Sequence, residues 1–532
     1  MKASCINYSE TGSFSSTVLS YLAHDPKLDP FVSHFPSLEN FSKLIAEKTQ
    51  PANRQILTEV LNEQYKAGGI NRNDALAVYQ NIDLLNQENT FTVTTGHQLN
   101  IFTGPLYFIY KIVSTINLAR DLKTAYPDKN FVPVYWMATE DHDFAEINHT
   151  SVYGKNIAWY LEASGPTGRL STQTIADAVR EYSSSLGISE NATLLSSIIE
   201  TAYLEHDKLA DATRHLVNSL FREYGLVIVD ADHPSLKRLF AGIIEKDILE
   251  QTSYKAINKT SAALEERGFK TQVHAREINF FYMEDGLRER IVFENGEFYI
   301  LNTALKFSSD ELRDQIRKYP EKFSPNVVMR PLYQETILPN LAYIGGGAEL
   351  VYWLQLRDNF LAYNTIFPIL LLRNSALVTH EEFSSKLCRL DICHKDVFKP
   401  SELIKKEWVL NHSNHVLNLS DEWKEISSIF EKIKLRTYKI DQTLAPSTEA
   451  VKARLHKAMN NLEKKLLKAD VRNHGDVLVQ IDNFKNKYFP GGGLQERTEN
   501  FGPFFIKYGT GFISELIRNF KPLDSKFTIL EP

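Results

Sequence analysis

Two short apolar runs, each ending abruptly in a polar cluster and joined by one long helical stretch, constrain the fold of this chain more than any other feature. FTVTT at 91–95 reads as a buried strand, GHQLNIFTGP as a turn, and LYFIYKIVSTINLARDLKTAY as a helix. Thr103 is placed to cap that helix, with Pro105 in its first turn, where a missing N–H costs little. FVPVYWMA at 131–138 is a second strand, rich in β-branched and aromatic residues, and it stops at TEDHD. Strand, helix and strand in this order require a parallel sheet with the helix on one face, and such sheets bind ligands beyond the carboxyl ends of their strands. GHQ and EDHD both lie just past such an end, so the two segments can meet over one pocket.

Further along, LVIVDADHP at 226–234 reads as another core strand, followed by a helix from about Leu236. Residues 165–218 have helical spacing and form an inserted helical element. Residues 268–302 alternate in extended runs broken at Asp285-Gly286 and Asn295-Gly296, dipeptides that favour tight hairpins, so a small antiparallel insertion is expected there. The core resumes near 325 with NVVMRPLYQ, an AYIGGG turn and a last segment at FPILLLRNS.

Past residue 400 the periodicity becomes helical. Trp423, Ile426, Phe430, Ile433, Thr437 and Ile440 form one stripe, and Val451, Leu455, Ala458, Leu462, Leu466 and Ala469 a second. Ala445-Pro446-Ser447 separates them, because proline cannot continue a helix interior, and a helical hairpin or short antiparallel coiled coil follows. The second arm is basic (Lys452, Arg454, Lys457, Lys464, Lys465, Lys468, Arg472), which fits either a solvated face or contact with phosphates.

With 66 acidic against 60 basic side chains, the formal charge of −6 gives no overall attraction to a polyphosphate, so no nucleic-acid partner is implied. Cys5, Cys388 and Cys393 are scattered and form no C-x-x-C pair, which points to a reducing compartment. The first residues lack the apolar run of a signal peptide, and no stretch nears 18 uninterrupted apolar residues. A cytoplasmic protein with no membrane partner is the expectation.

The chemistry concentrates in three places. Gly96 permits a close approach of backbone to ligand, while His97, Gln98 and Asn100 offer a proton-transfer group and neutral hydrogen bonds beside a helix N-terminus that suits anions. Glu140, Asp141, His142 and Asp143 carry too much polarity to bury without partners; they could orient a base, grip an amine or hold Mg²⁺, and His97, His142 and Asp143 could instead converge on zinc. Arg330 is a candidate clamp for a carboxylate or phosphate, ahead of Gln334, Glu335 and a turn at Gly345-Gly346-Gly347 that precedes Glu349. Gly491–Gly493, Gln495, Glu496 and Arg497 belong to a late aromatic segment expected to dock on the core.

Taken together, TTGHQLNIFTGPLY, ATEDHDFAEI, LVIVDADHPSLKRLF, REINFFYMEDGLRERI, SPNVVMRPLYQETILPNLAYIGGGAELVYW and FPGGGLQER resemble the bacillithiol biosynthesis cysteine-adding enzyme family, in family order over nearly the whole chain. The resemblance implies an α/β fold: a Rossmann-like parallel-sheet core with inserted connecting elements and a C-terminal antiparallel helical coiled coil that supports a homodimer. The expected segments are core at 1–164, 219–255 and 323–385, a helical insertion at 165–218 and a β-containing insertion at 256–322. A coiled-coil domain at 386–487 and a docking segment at 488–532 complete them. The implied activity is ligation of L-cysteine to the amino group of glucosaminyl malate. Carried over with it are His97, Gln98, Asn100, Asp141, His142, Asp143, Tyr343, Gly345, Gly346 and Glu349. Family members often read G-G-P-G-E where this chain has Gly345-Gly346-Gly347-Ala348-Glu349.

A carboxylate at neutral pH does not accept an amine, so cysteine needs activation, and ATP with Mg²⁺ is the economical source. His97 would then act on charge that grows in the transition state, Asp141 or Asp143 would orient the metal or the amine, and His142 would relay a proton. Two other classes stay open at this level: a metal-dependent amide hydrolase built on His97, His142 and Asp143, and a nucleotide-binding scaffold that uses its basic helices to hold a partner.

Overall fold

The computed structural model describes residues 1–48, 53–413 and 415–532. Five strands, β1 (Thr90–His97), β2 (Asn130–Met137), β3 (Val227–Asp230), β4 (Asn340–Gly345) and β5 (Ile369–Leu372), form one sheet in the order β3-β2-β1-β4-β5. Every neighbouring pair is parallel. The chain runs outward from β1 to β3, then returns to the other side of β1 for β4 and β5. Strand order therefore reverses between β1 and β4, where Ile344 lies opposite Thr95 and the two carboxyl ends open side by side.

Burial on both faces explains the near-continuous apolar reading of these strands. β1 is buried throughout, and its threonines are satisfied across the sheet. Thr92 and Thr94 donate to Asn340 Oδ1 at 3.1 and 2.8 Å, and Thr95 donates to the Ile344 carbonyl at 2.8 Å. Helix α1 (Tyr107–Ala125) covers the sheet between β1 and β2 and is apolar almost all round. The other helices that matter here are α2 (Pro234–Glu250), α3 (Arg330–Ile337) and α4 (Gly347–Leu354).

The inserted elements take the forms the sequence implies. Helices Ala176–Leu186, Glu190–Leu204 and Leu209–Phe221 lie between β2 and β3. Strands Phe280–Glu284, Leu287–Glu294 and Glu297–Ile300 pair antiparallel. Asn295 and Gly296 at one turn and Gly286 at the other take positive φ, as tight hairpins require.

Two local expectations are corrected. Thr103 does not cap α1: the helix starts at Tyr107, and Phe102, Thr103 and Gly104 run through consecutive positive φ values of 51°, 71° and 59°. The AYIG part of AYIGGG is strand β4, because Leu341 to Ile344 are buried between β1 and β5 and need no alternation. The second half of NVVMRPLYQ is the start of α3, with Pro331 in the first turn.

A second compact unit comprises residues 10–12, 378–494 and 531–532. Within it, α5 (Ser420–Ile440) and α6 (Ala445–Asn473) pack as a helical hairpin. Pro446 sits in the first turn of α6, so the break falls instead at 441–444, where Asp441 accepts from the Thr443 N–H at 2.8 Å. Among the described residues no helix is long and apolar enough to cross a membrane.

The strained loop after β1 is secured by Asn500, which belongs to the first unit. Its amide donates to the carbonyls of Phe102 and Gly104 at 2.7 and 2.8 Å, and its Oδ1 accepts from Tyr182 and from the Gly502 N–H, each at 2.8 Å. The Leu106 N–H meanwhile donates to the Glu499 carbonyl at 2.7 Å. Asn500→Ala would orphan two buried carbonyls. It is expected to lower the unfolding free energy by about 3 kcal/mol and to speed hydrogen exchange at the Leu106 amide; a urea midpoint equal to the parent's would contradict this account.

Candidate active site

At the reversal point the carboxyl end of β1 faces the amino end of α4, and one buried lysine joins them. Lys111, on α1, donates to the Gly96 carbonyl at 2.9 Å and forms an ion pair with Glu349. Glu349 also accepts from the Tyr343 hydroxyl at 2.7 Å and, reaching back over the first turn of α4, from the Gly346 N–H at 2.8 Å. Burial pushes the Glu349 carboxyl up, but Lys111 and these two donors outweigh it and hold the pKa below the usual carboxylate value. Burial lowers the Lys111 ammonium, with Glu349 opposing.

At 96 a side chain would crowd the Tyr343 hydroxyl, since a Cβ there would lie 3.1 Å from it. At 345 a Cβ would meet Glu349 at 3.0 Å. The position where relatives often carry proline is Gly347, the first residue of α4, a place that accepts proline or glycine alike. The departure from G-G-P-G-E leaves the contacts of Tyr343, Gly346 and Glu349 intact.

His97 ends β1. Its ring stacks on Phe108 with centroids 4.9 Å apart and meets the edge of Tyr107 at 5.4 Å, and Nε2 is buried without a hydrogen-bond partner. Burial first, then the charges of Lys111 and Arg373, hold its pKa well below the ordinary histidine value. The ring is neutral at physiological pH. Arg373 is itself buried in a 2.7 Å pair with Glu496 from the late glycine-rich segment.

The acidic cluster divides. Asp141 accepts from Gln98 at 2.7 Å through Oδ2 and from the His142 N–H at 2.8 Å through Oδ1. Gln98 also reaches Glu146 at 2.7 Å. Glu140 turns the other way, into a 2.7 Å pair with Lys237, a fully buried residue of α2. His142 lies half exposed against Arg288, and Asp143 is exposed. Asn100 donates to the Glu146 carbonyl and supports the loop without lining the cleft. Among the described residues no three His, Cys, Asp or Glu side chains group as a metal-ligand set, so the convergence of His97, His142 and Asp143 on zinc is not realised.

Arg330 stands at the centre. Nη1 donates to Gln334 at 3.0 Å, the guanidinium lies 5.3 Å from the Tyr343 ring and 5.8 Å from Trp136, and Nη2 is buried with no partner. A cavity of about 330 Å³ is lined by Gly96, His97, Gln98, Lys111, Tyr343 and Glu349. A second, of about 430 Å³, is lined by Glu140, Arg276, Phe281, Arg288 and Tyr333. Trp136, Ala138, Asp141, Val327 and Arg330 belong to both walls, so the two are lobes of one cleft.

The residues that sequence reasoning passed over are Lys111, Trp136, Tyr107 and Phe281. Lys111 had a signal, as the lone charge in the apolar first turns of α1. For the aromatics no local pattern distinguishes a cleft wall from core.

The neutrality of His97 has a thermodynamic consequence. In the unfolded chain the ring titrates near 6.5, the ordinary histidine value, whereas the native ring resists protonation. Its stabilising contribution is therefore full above about pH 6.5 and declines as pH falls through that value toward the lowered native pKa. Urea unfolding at about pH 7.5 and 5.5 should show a stability loss that is smaller in His97→Gln than in the parent; identical losses would count against the assignment.

The geometry can be set beside known proteins. The family model described as bacillithiol biosynthesis BshC, N-terminal Rossmann-like domain, matches residues 1–374, and that for the BshC C-terminal coiled-coil domain matches residues 376–532. A protein of Flavobacterium johnsoniae is 46% identical over 533 residues, spanning 100% of both chains. One of Flavobacterium psychrophilum is 42% identical with the same coverage, and one of Christiangramia forsetii is 42% identical over 100% of this chain and 99% of its own. Each is named, provisionally, as a cysteine ligase. Matched along its whole length by both family models and by these relatives, the chain belongs to the bacillithiol biosynthesis BshC family.

Proposed function

We propose that this protein is a ligase that joins L-cysteine to the amino group of glucosaminyl malate through an amide bond, giving bacillithiol. The relatives' shared name supports the reaction class. The observation that carries the reading is the two-lobed cleft, in which Arg330, with a guanidinium nitrogen that has no partner, stands on the wall common to both lobes, while the neutral His97, its Nε2 without a partner, lines one of them. Two lobes suit two substrates that must meet, and the junction is where the amide forms.

The cysteine carboxylate must first be made an acceptor, and ATP is the co-substrate that supplies this activation. Arg330 Nη2 and His97 Nε2 are buried polar atoms awaiting partners, which fits oxygens of a carboxylate or phosphate. The protein's carboxylates do not fit a resident Mg²⁺: Glu349 is committed to Lys111, Glu140 to Lys237 and Asp141 to Gln98 and backbone N–H groups. Magnesium belongs to this reading only as the ion carried on the nucleotide.

In the bond-forming step the amine lone pair attacks the activated carbonyl carbon, the leaving group departs with its electron pair, and a proton leaves nitrogen. His97 Nε2 takes that proton, since the ring is neutral and its lone pair uncommitted. Arg330 holds the developing negative oxygen, and Asp141 with Gln98 fixes the approach of the amine.

Purified protein incubated with L-cysteine, glucosaminyl malate and ATP–Mg²⁺ should yield the amide, detected by mass spectrometry, with ATP consumed in step. No product with ATP or with any other activated donor would sink the assignment. His97→Ala should lower turnover by roughly 100-fold or more, with a smaller change in KM for cysteine.

The same reading includes a homodimer held by α5 and α6. Ile433, Leu435, Ile440, Val451 and Leu462 are exposed by 39, 64, 81, 47 and 49% on this hairpin, an apolar surface that a second copy would cover symmetrically. Sedimentation should give a dimer at micromolar concentration, and Ile433→Asp should dissociate it while circular dichroism stays unchanged. A parent protein that sediments as a monomer would refute the dimer and leave the ligase reading standing.

A further inference from the structure

Arg288 projects from the inserted antiparallel sheet, opposite Met283 in the register, and every nitrogen of its guanidinium is engaged. Nε donates to Ser324 Oγ at 3.0 Å, Nη2 to the Pro325 carbonyl at 3.1 Å, and Nη1 lies 2.7 Å from His142 Nδ1. The Phe281 ring backs the group, its centroid 4.0 Å from the guanidinium carbon. Three bonds and one aromatic face fix both position and plane. Arg288 differs in this from Arg330, whose Nη2 is uncommitted.

A guanidinium has donors and no acceptor, so the contact with His142 has one polarity: Nη1–H donates and Nδ1 accepts with its lone pair. A neutral ring in this bond carries its proton on Nε2. We infer that Arg288 is a positioning residue that holds His142 as a neutral imidazole with its proton on Nε2, so that His142, held next to the cleft-wall residues Asp141 and Arg288, serves the ligation as a hydrogen-bond donor and not as its base. This rests on the ligase reading for the word ligation, but the tautomer and charge stand on the resting protein alone.

The opposing groups define the alternative. Asp141 Oδ1 lies 3.9 Å from the same Nδ1, and Asp143 and Glu289 also act on the ring in the direction of protonation. Left to these three carboxylates, His142 would become an imidazolium with Nδ1–H turned toward Asp141. Burial and Arg288 prevail, and the ring stays below the ordinary histidine pKa. To act as base, the ring would have to accept a proton on Nδ1, which Arg288 blocks, or on Nε2, which already holds one. His97, whose Nε2 is free, remains as the acceptor.

The test has two arms. In ¹⁵N-histidine NMR spectra of the substrate-free protein near neutral pH, His142 should appear as the pure Nε2–H form. In Arg288→Met it should shift to the imidazolium or the Nδ1–H form, with its titration midpoint moved upward. A wild-type His142 protonated on Nδ1, or one whose state and midpoint Arg288→Met leaves unchanged, would overturn the inference. In the second arm, amide formation is compared among His142→Gln, which keeps an N–H donor near the place of Nε2, His142→Ala, and the parent. Activity of the Gln variant within about tenfold of the parent and well above Ala supports a donor, and equal losses in Gln and Ala overturn it. Failure of the ligase reading would abolish product in every protein and leave the NMR result unaffected.

Discussion

The ammonium of Lys111 holds together the part of this structure that carries the candidate active site. It crosses from α1 to the Gly96 carbonyl at the end of β1 and to Glu349 in the first turn of α4, so one group ties strand, helix and returning strand at the reversal point. A buried pair of this kind gains little over an apolar replacement of the same shape, but removing one partner leaves an uncompensated charge at a cost of about 3–5 kcal/mol. Neither residue can change alone. The lysine charge also reaches His97, where with burial and Arg373 it keeps the imidazole unprotonated.

Much of the fold was legible because a parallel sheet covered on both faces writes itself as apolar runs that stop at polar ends. FTVTT, FVPVYWMA and LVIVD all became core strands on that basis, and Asp285-Gly286 and Asn295-Gly296 became hairpin turns. The misreadings share a cause in distant contacts. Thr103 looked like a cap, yet Asn500, nearly 400 positions on, bends the preceding residues into positive φ. AYIGGG looked like a turn because glycine dominates its spelling, while the pairing of Tyr343 with Thr94 and Leu370 that makes it a strand lies outside its own sequence. Likewise Pro446 marks a helix start and not a gap, a distinction that depends on which turn of a helix it occupies.

The site was legible as a location more than as a mechanism. Gly96, His97, Gln98, Asp141, Arg330, Tyr343 and Glu349 do converge on one cleft. The row Glu140-Asp141-His142-Asp143 suggested a joint device, and its four side chains instead go to a buried lysine, the cleft, an arginine of the inserted sheet and solvent. Adjacent residues leaving a strand end point in different directions, and only the partners waiting in each direction decide their roles. Two of those partners, Lys237 and Arg288, are single cations within a helix and a strand, and in a sequence such cations look like surface charge.

The electrostatic arrangement of the cleft follows from these placements. His97 lines one of its walls and His142 follows the wall residue Asp141, and fixed cations act on both rings: Lys111 and Arg373 on His97, and Arg288 on His142. The effect is to keep both rings neutral in a cleft that also contains acidic groups. A neutral ring can take a proton on its lone pair or donate a hydrogen bond from its N–H, and the difference between the two rings then rests on their hydrogen bonds. His142 has its lone pair occupied by Arg288 and retains only a donor, whereas His97 Nε2, like Arg330 Nη2, is buried without a partner. The ligase proposed for this cleft would have to collect an anionic acceptor and a basic amine, which calls for a cation and a lone pair with spare capacity. With Arg288 fully engaged, Arg330 Nη2 and His97 Nε2 are the buried, unpartnered atoms that the proposal assigns to this need.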